Sequence, residues 1–81
     1  MYPGVKTVKA LPDYKLQLTF DSGEQGIYDV RPLLEKGHFK ELRDIALFNS
    51  VRISFDTVVW SNGVDLCPEM LYEDSMKIEN R

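Results

Sequence analysis

An α+β fold built on antiparallel strands is what this sequence of 81 residues specifies. Three features carry that reading. Apolar and polar residues alternate with a period of two in both halves of the chain, most clearly at 14–20 and 51–55. Turn-forming Asp, Asn and Gly residues separate the alternating runs at hairpin spacing. Between the two strand-rich parts lies a stretch punctuated by Pro32 and Gly37, where apolar residues recur at helical intervals. The arrangement predicted is an antiparallel three-stranded meander plus a second β-hairpin, with short central helices and a C-terminal helix.

The first strand is Val5–Ala10, rich in β-branched residues, with Val5 and Thr7 on one face and Lys6 and Val8 on the other. Pro12 and Asp13 make a turn. In the next run Tyr14, Leu16, Leu18 and Phe20 share one face, while Lys15, Gln17 and Thr19 share the other. Asp21-Ser22-Gly23 reverses the chain into 24–30, which completes the meander. Gly26 within that third strand signals a bulge or a close approach of backbone. Pro32 opens a first helical turn, Phe39 and Leu42 mark a second, and Asp44 is placed to cap a third over 45–49. Val51, Ile53 and Phe55 then point inward on a strand that turns at Asp56-Thr57 into Val58-Val59-Trp60. Asn62-Gly63 makes another turn, and 64–66 is extended. Pro68 begins a helix running to about Ser75. The chain is expected to be one domain over 1–81, ending in a polar tail at 76–81.

Composition narrows the chemistry. The chain is 43% hydrophobic and 28% charged, with a net charge of −3, one Cys and one His. A domain of this size leaves about 60–65% of the unfolded chain's surface buried, enough for one core and little more. No apolar run approaches the ~18–20 residues that span a bilayer, and the start lacks a basic-then-apolar leader. Cys67 alone cannot form an intrachain disulfide, which suits a reducing compartment. Cys67 and His38 do not suffice for a structural zinc site. The glycines fit neither a phosphate-binding loop nor a dinucleotide fingerprint. Residues 1–55 carry eight basic and seven acidic side chains; 56–81 carry two basic and six acidic. That acidic end opposes docking on phosphate.

The segment Trp60-Ser61-Asn62-Gly63-Val64-Asp65-Leu66-Cys67-Pro68-Glu69-Met70-Leu71-Tyr72 resembles the signature of a small bacterial family catalogued as domain of unknown function 2442. The stretches 16–24 and 37–42 are similar to the same family, so the resemblance spans about residues 5–75. Ser61 departs from it, standing where relatives usually have Pro. The resemblance implies an α+β domain of the nitrosomonad-protein N-terminal-domain-like fold. It implies no catalytic residues. Some relatives are fused to a helix-turn-helix domain, and others lie beside genes for a second small protein, in the manner of toxin–antitoxin pairs. Both associations point toward regulation or protein partnership.

The signature residues also have structural tasks that need no family. Trp60 supplies the largest side chain for burial. Asn62 and Gly63 tolerate the positive φ of a tight reversal. Asp65 and Glu69 fall near the amino end of the last helix, where the helix dipole and free N–H groups favour negative charge. Pro68 stiffens the start of that helix, and Tyr72 lies on it. A carboxylate pair formed by Asp65 and Glu69 would need a cleft, and a Cys67/His38 dyad would need orientation that the spacing does not supply. Cys67 is expected in a buried or half-buried site, and His38 on the surface.

The expectation is therefore a cytoplasmic, non-enzymatic protein-interaction or regulatory module, antitoxin-like in character, without metal or cofactor. Its partner is expected to be another protein. A homodimer through an edge strand or a helical face suits a chain this small. Direct nucleic-acid binding and membrane insertion are not expected. Two alternatives stay open: a component of a DNA-associated regulator, and a small-ligand binder or enzyme around Trp60, Asp65 and Glu69.

Overall fold

A computed structural model describes residues 3–78. The meander consists of β1 (Val5–Leu11), β2 (Lys15–Phe20) and β3 (Gln25–Asp29). Short 3-10 helices follow at Arg31–Leu33 and Gly37–Arg43, then a single α-helical turn, α1 (Ile45–Phe48). The second hairpin is β4 (Arg52–Ser54) with β5 (Thr57–Val59), and α2 covers Pro68–Asp74. A last strand, β6 (Met76–Ile78), returns to the first sheet, whose order is β1-β2-β3-β6 with β1–β2, β2–β3 and β3–β6 all antiparallel. The α+β architecture matches the alternation and punctuation of the sequence.

The alternation in β2 sets the core. Leu16, Leu18 and Phe20 are fully buried, and Lys15, Gln17 and Thr19 between them are half-buried on the other face. Their cross-strand partners share the inward face: Val5 opposite Phe20, Val8 opposite Leu18, and Tyr28 opposite Leu16. Against this face pack Leu34, Leu42, Phe48, Val58, Trp60, Leu66 and Leu71 from the helices and the second hairpin. Each large aliphatic side chain so buried contributes about 1.5–3 kcal/mol relative to exposure.

The central helices are 3-10 rather than α for most of their length. The i, i+3 spacing of Phe39 and Leu42 lets a 3-10 turn eclipse both toward the sheet. Asp44 caps α1, its carboxylate accepting from the Ala46 N–H at 3.0 Å.

Three expectations need correction. A register shift between Val5 and Thr7 turns Val8, not Thr7, to the same inward face as Val5. Phe55 does not continue the inward face of its strand. It sits at the hairpin tip with φ +50, beside Asp56 at φ +65, and is 97% exposed. A two-residue loop joining β4 to β5 needs left-handed residues at both positions to match strand twist, and that requirement overrides the alternation. The polar tail placed at 76–81 is ordered through 78, where β6 adds a fourth strand; 79–81 lie outside the described residues.

Gly26 explains why β6 can dock. A Cβ at Gly26 would stand 2.8 Å from Ser75 Oγ, 3.1 Å from Ser75 Cβ and 3.3 Å from the Met76 carbonyl oxygen. The glycine therefore serves as a close approach, and the β2–β3 register runs through it without a bulge. Lys77 lies opposite Gly26. Its ammonium stacks 4.3 Å from the centre of the Tyr72 ring and donates to the Tyr72 carbonyl and to Ser75 Oγ. Such a cation–π contact contributes about 0.5–1 kcal/mol at an exposed site.

Gly26→Ala should thus destabilise the fold by about 1–3 kcal/mol, the usual cost of overpacking. Urea denaturation of the variant should show a lower midpoint, and amide exchange should quicken first in 76–78. An unchanged midpoint would mean that the backbones do not need this contact.

Candidate functional site

The signature segment folds as a tight reversal followed by an extended run into α2. Trp60 is 1% exposed, and its indole N–H donates to the Phe48 carbonyl at 3.0 Å. Burial of the ring is thus compatible with its one polar atom. Phe48 stacks on it at 6.1 Å between centroids and takes the Tyr14 ring edge-on at 5.3 Å. The Trp60 N–H donates to the Val64 carbonyl and the Gly63 N–H to the Trp60 carbonyl, each at 2.9 Å. With Gly63 at φ +87, this is a three-residue hairpin loop closed by a left-handed glycine. Asn62 Oδ1 accepts from the Val64 N–H at 3.2 Å, the local bond that makes Asn a turn residue.

The other end of the Asn62 side chain ties the loop to the central helices. Its Nδ2 donates to Glu41 Oε1 at 3.2 Å, and Glu41 Oε2 lies 3.4 Å from His38 Nδ1. These two contacts, Asn62 first, hold the Glu41 carboxyl below its ordinary range. Around them opens a shallow depression of about 510 Å3, lined by Lys36, Gly37, His38 and Phe39 on one side and by residues 62–65 on the other. Phe39 and Val64 give it a half-buried apolar lining. Lys36 and Asp65 form no ion pair among the described residues.

The structure therefore gathers Asn62, Gly63 and Asp65 at one concave surface and leaves the other signature residues elsewhere. Trp60 is in the core. Pro68 is at the first position of α2 and Glu69 in its first turn, exposed. Asp65 does not cap α2. It forms an isolated antiparallel bridge with Val59, and Cys67, the residue just before α2, makes no side-chain capping bond. Asp65 and Glu69 share neither a hydrogen bond nor the depression. Cys67 is exposed, contrary to the expectation of a buried or half-buried site, because the extended residue before Pro68 does not turn its side chain inward. His38 is on the surface and pairs with Glu41 rather than with Cys67. Among the described residues, no three His, Cys, Asp or Glu side chains are grouped to hold a metal ion. Nor is any helix there long and apolar enough to cross a membrane.

Tyr72 belongs to a separate cluster at the far end of the sheet. Its hydroxyl donates to Glu24 Oε1 at 2.7 Å, and its ring meets Phe20 edge-on at 5.1 Å. Ser22 Oγ donates to the same carboxylate oxygen at 2.9 Å. Hydrogen bonds from the Tyr72 and Ser22 hydroxyls hold the Glu24 carboxyl below its ordinary pKa, and the Glu24 carboxylate in turn raises the pKa of the Tyr72 phenol.

Comparison with protein families bears on these residues directly. The model of the family described as "Protein of unknown function (DUF2442)" matches residues 5–77, from the start of the first strand into β6. The chain belongs to this family. The DUF2442 match takes in the whole signature segment and both sides of the depression. Neither the curated proteins nor the solved structures contain a match. Lys36, Phe39 and Glu41 are the site residues that sequence reading did not single out. Only the i, i+3 relation of His38 and Glu41 hinted at their pairing.

Two outcomes follow for the signature residues. Trp60→Ala should cost about 3–5 kcal/mol, enough to unfold much of a domain of ordinary marginal stability, read as loss of near-ultraviolet circular dichroism. Tyr72→Phe should remove a pH-dependent contribution. A lowered Glu24 value stabilises the fold above the unfolded carboxyl value near 4.5 and loses that effect as pH falls. A raised Tyr72 value stabilises it below the phenol's ordinary 10.0 and loses that effect as pH rises. The stability difference between wild type and Tyr72→Phe should therefore be widest between about pH 5 and 9 and shrink on either side, as chemical denaturation across pH would measure.

Proposed function

We propose that this chain is a non-enzymatic protein-interaction module, regulatory or antitoxin-like in role, that offers the β4–β5 tip to another protein. The observation that carries the reading is Phe55. A bulky aromatic at φ +50 is costly by about 1 kcal/mol or more, and at 97% exposure it regains nothing from burial in the isolated chain. Asn or Gly would make the same turn without strain. An aromatic ring presented on a short, rigid hairpin is the kind of anchor that dominates protein interfaces when a partner pocket receives it. The acidic balance of residues 56–81 supports a partner of basic character, since complementary charge speeds and orients association.

Stability and binding should move in opposite directions on Phe55→Asn. Relief of the strain should raise the melting temperature by about 4–8 °C, the shift that ~1 kcal/mol gives in a domain of this size. Capture from a lysate of the source cells at physiological salt should recover a partner with wild-type protein and lose it with the variant. A variant that melts higher yet keeps the same partner would remove Phe55 from the interface. Recovery of the bare chain by both proteins would count against the interaction reading itself.

A further inference from the structure

The bridge between Val59 and Asp65 leaves a piece of backbone uncommitted. Its flanking hydrogen bonds run from the Trp60 N–H to the Val64 carbonyl and from the Leu66 N–H to the Val58 carbonyl, at 2.9 and 3.3 Å. In an antiparallel ladder, the residue between two such bonds directs its own N–H and C=O away from the neighbouring strand. Neither backbone group of Asp65 has a hydrogen-bond partner among the described residues. Residues 64–66 thus act as a third strand on the β4–β5 hairpin, with an open outer edge. Asp65 and Val64 also line the depression shared with residues 36–39.

We infer that this edge accepts an extended segment of a partner protein by strand addition, with a basic residue opposite Asp65 and apolar residues on either side of it. The inference rests on the interaction reading above and names a second contact surface for it. Strand addition draws affinity from backbone pairs and specificity from alternate side chains. Asp65 supplies one donor and one acceptor at a single position. Its side chain is exposed, on the face opposite the buried Leu66. The incoming residue directly opposite Asp65 lies on that same outer face, where a Lys or Arg is favoured and an acid is disfavoured. The incoming neighbours fall on the other face, with Val64 and Leu66, and meet the apolar lining that Val64 and Phe39 give the depression. Gly37 and Gly63, with φ +47 and +87, leave open space where a Cβ would stand, so no side chain at those positions blocks the approach. Lys36 is available for a carboxylate further along the segment.

The charge pattern selects against a second copy of this chain as occupant. Two-fold pairing at this edge would set Asp65 directly against Asp65, like charges on one face in a hydrogen-bonded pair about 5.5 Å apart at Cα. The net −4 of residues 56–81, two basic against six acidic side chains, opposes it further and favours a basic segment.

Amide exchange and peptide titration on the isotopically labelled full chain test this. In the free protein the Asp65 amide should exchange fast while those of Trp60 and Leu66 are protected. The acetylated, amidated pentapeptide threonine-valine-lysine-valine-threonine should shift the amides of residues 36–39 and 62–66 saturably, with a dissociation constant of about 1 mM or tighter, and slow exchange at Asp65. N-methylation of the central lysine amide, which removes the donor to the Asp65 carbonyl, should abolish the shifts. Asp65→Lys should weaken the lysine peptide about fivefold and favour its glutamate counterpart by a similar factor. A protected Asp65 amide in the free protein, absence of saturable shifts, or shifts indifferent to N-methylation would each overturn the inference. If Phe55→Asn still loses its partner in capture, such a failure removes the Asp65 edge and leaves the interaction reading standing.

Discussion

Burial of one indole ring organises this small fold. Trp60 lies just past the second hairpin, yet its N–H is satisfied by a carbonyl at the end of α1 and its ring by Phe48. Through Phe48 the contact continues to Tyr14, whose hydroxyl reaches the Arg43 carbonyl at 2.5 Å. Three parts of the chain that are distant in sequence are thereby locked by one aromatic stack: the start of β2, the central helices and the second hairpin. Individually none of these is long enough to be stable. Hairpins of three-residue strands and helices of one turn persist only when tertiary packing holds them.

The same stack positions the concave surface. With Trp60 fixed below, the loop above it has only a narrow range of placements, and the turn at Asn62-Gly63 must face residues 36–41. The Asn62–Glu41–His38 contacts then close the distance between two segments that the sequence presents separately. All three side chains lie at the surface, where each polar contact contributes modestly. Their effect is to orient, not to stabilise. The depression is in this sense a by-product of core packing whose rim happens to carry unpaired charge and backbone.

How far the sequence could be read depended on where the controlling forces lie. The period of two in Leu16, Leu18 and Phe20 is a local signal for a one-sided sheet, and it survived intact. Asp44 as a cap and Gly26 as a close approach were likewise legible, because each follows from the chemistry of one residue. At Phe55 alternation and turn conflict, and turn geometry wins in a loop of two residues. Met76-Lys77-Ile78 alternates over only three residues, too short a run to mark a strand, so it reads as a tail. Its strand depends on Lys77 stacking over Tyr72 and on the gap at Gly26, neither visible locally. Proximity along the chain points Asp65 to the helix start; the bridge to Val59 is a matter of spatial pairing. The general habits of cysteine point Cys67 to a buried or half-buried site, and Pro68 and the extended backbone overrule them.

The placement of β6 also covers a margin of the sheet that would otherwise be open to pairing with another chain. Without that three-residue strand, β3 would present a bare row of peptide groups beside Ile27 and Tyr28, the sort of flat apolar margin along which chains stack into aggregates. The covering strand is only three residues long and is secured by Lys77 stacked over the Tyr72 ring. A segment that looks expendable in sequence thus covers one margin of the main sheet.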